Sequence, residues 1–178
     1  MKLSKDMKGV TTLAIVLIVV VAAVASAAIV GFVLLKDDNN NTGDYYKYDI
    51  SGRTSGLDIG GTCTMKIVGH SGSMDKWEYT YDMYLVNPNG TKTSIPMEKM
   101  YMWAERGDFT SGSTKTGTDT ITTAYGVKNV DVYFSNLGGM DTSIYMGQDG
   151  IPYKMVSSIS NPSLTMNMDL VDTNKIEK

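Results

Sequence analysis

Between Val10 and Leu35 the chain runs for 26 residues without a charge. As a helix rising about 1.5 Å per residue, such a run is roughly 39 Å long and crosses a hydrocarbon core of about 30 Å with some tilt. No other feature constrains the fold as strongly, because everything after it must lie on one side of a bilayer. The flanks choose the side. Lys2, Lys5 and Lys8 outnumber Asp6 ahead of the run, whereas Lys36 is followed at once by Asp37 and Asp38. That asymmetry predicts a short cytoplasmic N-terminus with the remainder outside. The expected organisation is a leader at 1–9, a transmembrane helix at 10–35, a polar linker at 36–44 and an extracytoplasmic β domain at 45–178. The lipid bilayer is therefore an expected partner, and a single-pass cell-membrane protein the expected location.

A secretory signal has an apolar core of about 7–15 residues before a small-residue cleavage site. Ala25-Ser26-Ala27 supplies such a site, but cleavage there leaves the mostly apolar residues 28–35 in water. A permanent anchor is the better reading. Lys8-Gly9, directly before the run, resembles the class III signal of archaeal type IV pilins and archaellins, and so of archaeal surface proteins. That resemblance implies cleavage between Gly9 and Val10 and an apolar segment serving as a filament core. Bacterial pilins carry glutamate where this chain has Ala14, so the resemblance is to the archaeal kind. Ala23, Ala27 and Gly31 recur at a small-xxx-small spacing that lets helices approach closely, a route to self-association through the apolar helix.

Beyond Lys36 the chain carries 12 Lys and Arg against 18 Asp and Glu, a net charge of −6. An acidic surface repels phosphate backbones and anionic lipid headgroups, so nucleic acid is not an expected partner. Cys63 is the only cysteine, which leaves the external domain to hold together by packing alone. Asn40-Asn41-Thr42 and Asn89-Gly90-Thr91 fit the glycosylation acceptor pattern.

From Tyr45 onward the apolar period is two. Trp77, Tyr79, Tyr81, Met83 and Leu85 share one face against Glu78, Thr80 and Asp82, and the turn residues at 87–90 follow, so a hairpin is expected. Cys63, Met65 and Ile67 alternate with Thr64 and Lys66, which makes Cys63 a buried strand residue. "TDTITTAYG" and "KNVDVYF", separated by Gly126-Val127, are further strands, as are the runs on either side of "QDG". Leu164, Met166, Met168 and Leu170 close the series on one face. The segment at 94–106 fits two descriptions. It is a strand with Met100, Met102 and Ala104 inward, or a helix from Pro96 to Gly107. The strand is favoured. "DIGGTC" and "NLGGM" read as turns.

The resulting fold class is mainly β. A transmembrane helix precedes an antiparallel domain of about eight or nine strands, curled into a half-barrel or closed into a sandwich. "IYMGQDGIPYKMV" resembles the late hairpin of LolA-like lipoprotein carriers. That resemblance implies a half-barrel holding acyl chains.

Candidate chemistry is sparse. His70 sits in the turn-like "GHSGS" beside Ser71 and Ser73, and neighbours in a flexible loop rarely supply nucleophile–base geometry. His70 and Cys63 are too few for zinc. Asp37, Asp38 and Asp44 lack the spacing of a calcium loop. Eleven of the 13 methionines lie beyond the apolar run. Thioethers suit Cu(I), but methionine also fills irregular cores and adaptable pockets. Met65, Trp77, Tyr79, Tyr81, Met83, Met100, Met102, Met166 and Met168 are thus expected to form a core or an apolar pocket. No cofactor, metal or catalytic residue is assigned. Three functions remain open: a binding or structural protein without catalysis, a pilin-like filament subunit, and a LolA-like carrier of lipid or another apolar ligand.

Overall fold

Alternating side chains pleat into strands because each can bury one face and wet the other. The computed structural model describes residues 42–54, 56–105, 113–160 and 163–176. The leader, the apolar run and the processing site at Lys8, Gly9 and Val10 lie outside them. Among the described residues no helix is long and apolar enough to cross a membrane.

Among the described residues ten strands form one antiparallel sheet. They are β1 (Tyr45–Thr54), β2 (Leu57–Ser71), β3 (Met74–Val86), β4 (Lys92–Ile95), β5 (Met100–Glu105), β6 (Thr114–Thr123), β7 (Gly126–Leu137), β8 (Met140–Gly147), β9 (Pro152–Ile159) and β10 (Leu164–Thr173). Their spatial order is β4-β3-β2-β1-β10-β9-β8-β7-β6, with β5 also paired to β3. Two meanders are thereby joined through the first and last strands. Ile50 stands opposite Met168, and Arg53 opposite Thr165. The sheet curls back on itself. The tip of the β6–β7 hairpin, Ile121–Ala124, returns against Tyr153, Lys154 and residues 169–171 around a cavity of about 140 Å³. Among the described residues the strands form one hydrogen-bonded sheet rather than two stacked ones.

The strand count of eight or nine is corrected to ten. The difference arises at β3, whose 13 residues are long enough to host two short partners on one edge. β4 pairs with Met83–Val86 and β5 with Met74–Tyr79. Pro96, which has no amide hydrogen for the ladder, follows directly on β4 and separates the two. Within the segment at 94–106, residues 94–95 and 100–105 are accordingly strand, residues 96–99 connect them, and none of the described residues is helix. Met100, Met102 and Ala104 are half-buried against the core, and Tyr101 and Trp103 point outward.

A second correction concerns Gly60-Gly61. These glycines lie inside β2, not in a turn. The ring of Tyr84 rests on Gly60, where a Cβ would come within 2.7 Å of it, and a Cβ on Gly61 would come within 2.8 Å of the Met83 Cα. Gly61 also has φ 152°, which L side chains seldom adopt. Glycine here serves a close approach of β3 to β2. Gly138 and Gly139, by contrast, do form the β7–β8 turn with positive φ. The β6–β7 turn falls at Ala124-Tyr125, and Gly126-Val127 already belong to β7.

The core occupies one face. Across it run Met83, Gly61, Ile50, Met168, Met155 and Ile144 in register. Every side chain in that row is buried. Cys63 is buried and unbridged, so packing alone supplies the cohesion, at about 1.5–3 kcal/mol for each fully buried large apolar side chain.

Candidate functional site

The buried face is built chiefly of methionine and tyrosine. Met65, Met83, Met140, Met146, Met155, Met166 and Met168 all lie in it, alongside Tyr46, Tyr48, Tyr79, Tyr81 and Trp77. Met100 and Met102 reach it from β5 as half-buried neighbours. The structure therefore brings the nine residues singled out by alternation onto one side of the sheet.

Two polar islands interrupt the apolar surface. On β1–β3, Tyr48, Cys63 and Tyr81 stand side by side in register. The rings of Tyr79 and Tyr81 stack with centroids 6.4 Å apart. The Tyr48 hydroxyl donates to the Pro152 carbonyl at 3.0 Å, linking β1 to the start of β9. Burial pushes the Cys63 thiol up to about 12, against an opposing pull from the Tyr81 hydroxyl beside it. Burial also raises the Tyr48, Tyr79 and Tyr81 phenols, and a charge on any of these neighbours would raise them further. The cluster is neutral at physiological pH. It offers hydroxyls rather than nucleophiles, because a thiol held protonated is inert.

The second island lies on β7–β9. Ser135 faces Thr142, Thr142 faces Ser157, and the Thr142 and Ser157 hydroxyls share a hydrogen bond of 3.2 Å. The Ser135 hydroxyl is buried with no hydrogen-bond partner among the described residues. A buried hydroxyl left unpaired costs roughly 1–3 kcal/mol, so such a group is a ready donor for anything polar that reaches it. Ile144, Met155, Met166 and Met168 separate the two islands. Sequence reasoning missed the hydroxyl row, since serine and threonine in an alternating strand read as outward residues. The one available signal was their parity with Met140, Ile144 and Met155.

His70 is not a loop residue. It stands opposite Asp75, one pair before the end of the β2–β3 ladder, and its Nδ1 lies 2.6 Å from the Asp75 carboxylate, which is 3% exposed. The pair closes the hairpin end of the core, while Ser71 is exposed at the end of β2 and Ser73 is exposed in the turn. On the opposite, outer face a groove of about 510 Å³ is lined by Asp49, Ser51, Thr62, Asp82, Tyr84 and Asp169 among others. Asp49 and Asp169 face each other across the β1–β10 ladder, and Lys154 lies 3.7 Å from Asp169. Among the described residues no three His, Cys, Asp or Glu side chains converge on a metal-sized space.

No protein-family model matches the chain, and no curated protein matches it. Among solved structures it is similar to MucB, with a TM-score of 0.42 and 10% identity over 86% of this chain and 60% of that one. MucB in complex with MucA(peri) gives a TM-score of 0.42 at 9% identity, over 85% of this chain and 56% of the other. A putative outer membrane lipoprotein-sorting protein domain from Vibrio parahaemolyticus gives 0.36 at 9% identity, over 85% and 94%. The chain thus spans a little over half the length of the MucB structures. Likenesses this distant do not define the site, whose chemistry rests on its own residues.

Proposed function

We propose that this protein is a membrane-anchored, extracytoplasmic binding protein without catalysis that carries a lipid or another apolar ligand against its methionine–tyrosine face. It is in this sense a carrier of the LolA-like kind. The observation that carries the reading is the composition of that face: seven buried methionines, of which Met155, Met166 and Met168 separate two hydroxyl islands. Methionine is unbranched and polarisable, and it adapts to guests of irregular shape better than Leu or Ile. A guest with an apolar body and a polar end matches methionines flanked by Tyr81 and Cys63 on one side and by Ser135 on the other. The uncharged run at 10–35 supports the anchor, and the lysines before it support the orientation.

The test is photolabelling of the full-length protein in vesicles with a diazirine-bearing fatty acid, followed by mapping of the labelled residues. Labels on β9 and β10 around Met155, Met166 and Met168 are expected. Labels confined to residues 10–35, with the external domain folded, contradict the proposal.

A further inference from the structure

The outer face of the sheet sorts its charges by distance from the tether. Gly43 donates to the Ile67 carbonyl at 2.8 Å, and Ile67 donates back to Asp44 at 2.9 Å, so the chain is tied to β2 from Gly43 onward. Between Leu35 and that point only residues 36–42 remain. At about 3.3–3.6 Å per residue they span at most roughly 25 Å. The end of the sheet where β1 begins is thereby leashed to the bilayer, if the run at 10–35 is an anchor.

At that end the outer face is basic and aromatic. Tyr45, Lys66, Glu78 and Tyr101 stand in one row across β1, β2, β3 and β5, and Lys76 faces Trp103 in an adjacent row. Tyr101 and Trp103 are 55% and 47% exposed. The Lys76 ammonium lies 5.1 Å from the Tyr101 ring centre and 6.0 Å from that of Trp103. Lys47 and Lys99 add to the patch. Two of its acids are engaged: Glu78 takes Lys99 at 3.0 Å and the Tyr101 hydroxyl at 2.8 Å, and Asp172 accepts from Tyr45 at 2.8 Å. Four residues further along β3, roughly 13 Å away, the row of Asp82, Thr62, Asp49 and Asp169 turns acidic. That distance exceeds the Debye length of about 8–10 Å, so an anionic surface at the tethered end meets the lysines and is not repelled by the acids. Amphipathic Trp and Tyr beside Lys is the composition that settles at headgroup depth.

We propose that the Lys66, Lys76, Tyr101 and Trp103 patch seats on the anionic headgroup layer of the membrane that holds the chain, fixing the orientation of the domain. This rests on the anchor reading, and the experiment separates the two. Full-length protein is reconstituted into phosphatidylcholine vesicles with and without 30% phosphatidylglycerol, floated, and its tryptophan emission quenched by a lipid bearing a headgroup nitroxide. Trp77 is buried and contributes little. Quenching several-fold stronger in the anionic vesicles is expected, lost in Trp103→Phe and sharply reduced in the Lys47→Glu/Lys66→Glu double variant. Floating protein whose quenching ignores phosphatidylglycerol and both substitutions overturns the seating while leaving the anchor intact. Protein that does not float overturns both. Crosslinking of Lys66 to a protein in native membranes, without lipid-dependent quenching, assigns the patch to a protein partner and also overturns the proposal.

Discussion

The hydroxyl of Thr173 donates to the carbonyl of Tyr45 at 2.6 Å, closing 128 residues of chain at the centre of the sheet. The bond sits where β1 meets β10, the seam that joins the two meanders. Thr173 is buried, so Thr173→Val removes a donor and leaves a carbonyl short of one partner. A loss of about 1–2 kcal/mol is expected, read as a lower urea midpoint with an unchanged slope. The seam is a non-local contact, so the loss is expected mainly in the unfolding rate.

Packing at Met168 and at Met102 is unequal. Met168 is 2% exposed in the central row, and Met102 is half-buried on a short edge strand. Met168→Ala is expected to cost about 2–5 kcal/mol and Met102→Ala about 1 kcal/mol or less, measured by denaturant titration. Equal costs would mean that the face is not packed as described.

Glycine substitutions separate close approach from mere flexibility. Gly61→Ala drives a Cβ into the β3 backbone at an unfavourable φ and is expected to cost more than about 3 kcal/mol or abolish folding. Gly117→Ala, on the exposed edge strand β6 with nothing within 4 Å of an added Cβ, is expected to stay within about 0.5 kcal/mol. Gly60→Ala falls between, since the Tyr84 ring beside it can move.

Alkali destabilises the fold through the same phenols and thiol that line the face. Burial raises the folded-state Cys63 thiol from 9.0 to about 12, and it raises the Tyr48, Tyr79 and Tyr81 phenols above 10.0. A raised group binds its proton more tightly when folded, so the stability it contributes is fully present below the unfolded value. It is lost as pH rises, at roughly 1.4 kcal/mol per pH unit for each group ionised only in the unfolded chain. Stability is expected to hold up to about pH 9 and then fall as pH rises toward 12. In Cys63→Ala the first part of that fall is missing. At pH 8 a thiol reagent is expected to label Cys63 only after denaturation.

Much of the fold was legible because each strand carries its own two-residue rhythm. The faces of β3 and β10, the hairpin after Val86 and the burial of Cys63 could all be read locally. What could not be read is relational. Gly60-Gly61 look like a turn until Tyr84 and Met83 are brought against them from another strand. The pairing of β1 with β10 leaves no local mark, and β4 and β5 are too short to declare that they share an edge. Ser135, Thr142 and Ser157 become a polar island only when three strands set them in register. Likewise the lysine–aromatic patch draws on residues from four strands, with Lys47, Lys66 and Lys76 separated in sequence by segments of the opposite character.

Entry of an apolar guest against the methionine face can be reported by the methionines themselves. With ¹³C-methyl methionine in the full-length protein in nanodiscs, oleate is titrated and each methyl resonance followed. Saturable shifts at Met155, Met166 and Met168, with Met74 unmoved, are the predicted result. Methyl resonances on the buried face that stay fixed at saturating oleate, in a protein that remains folded, would contradict it.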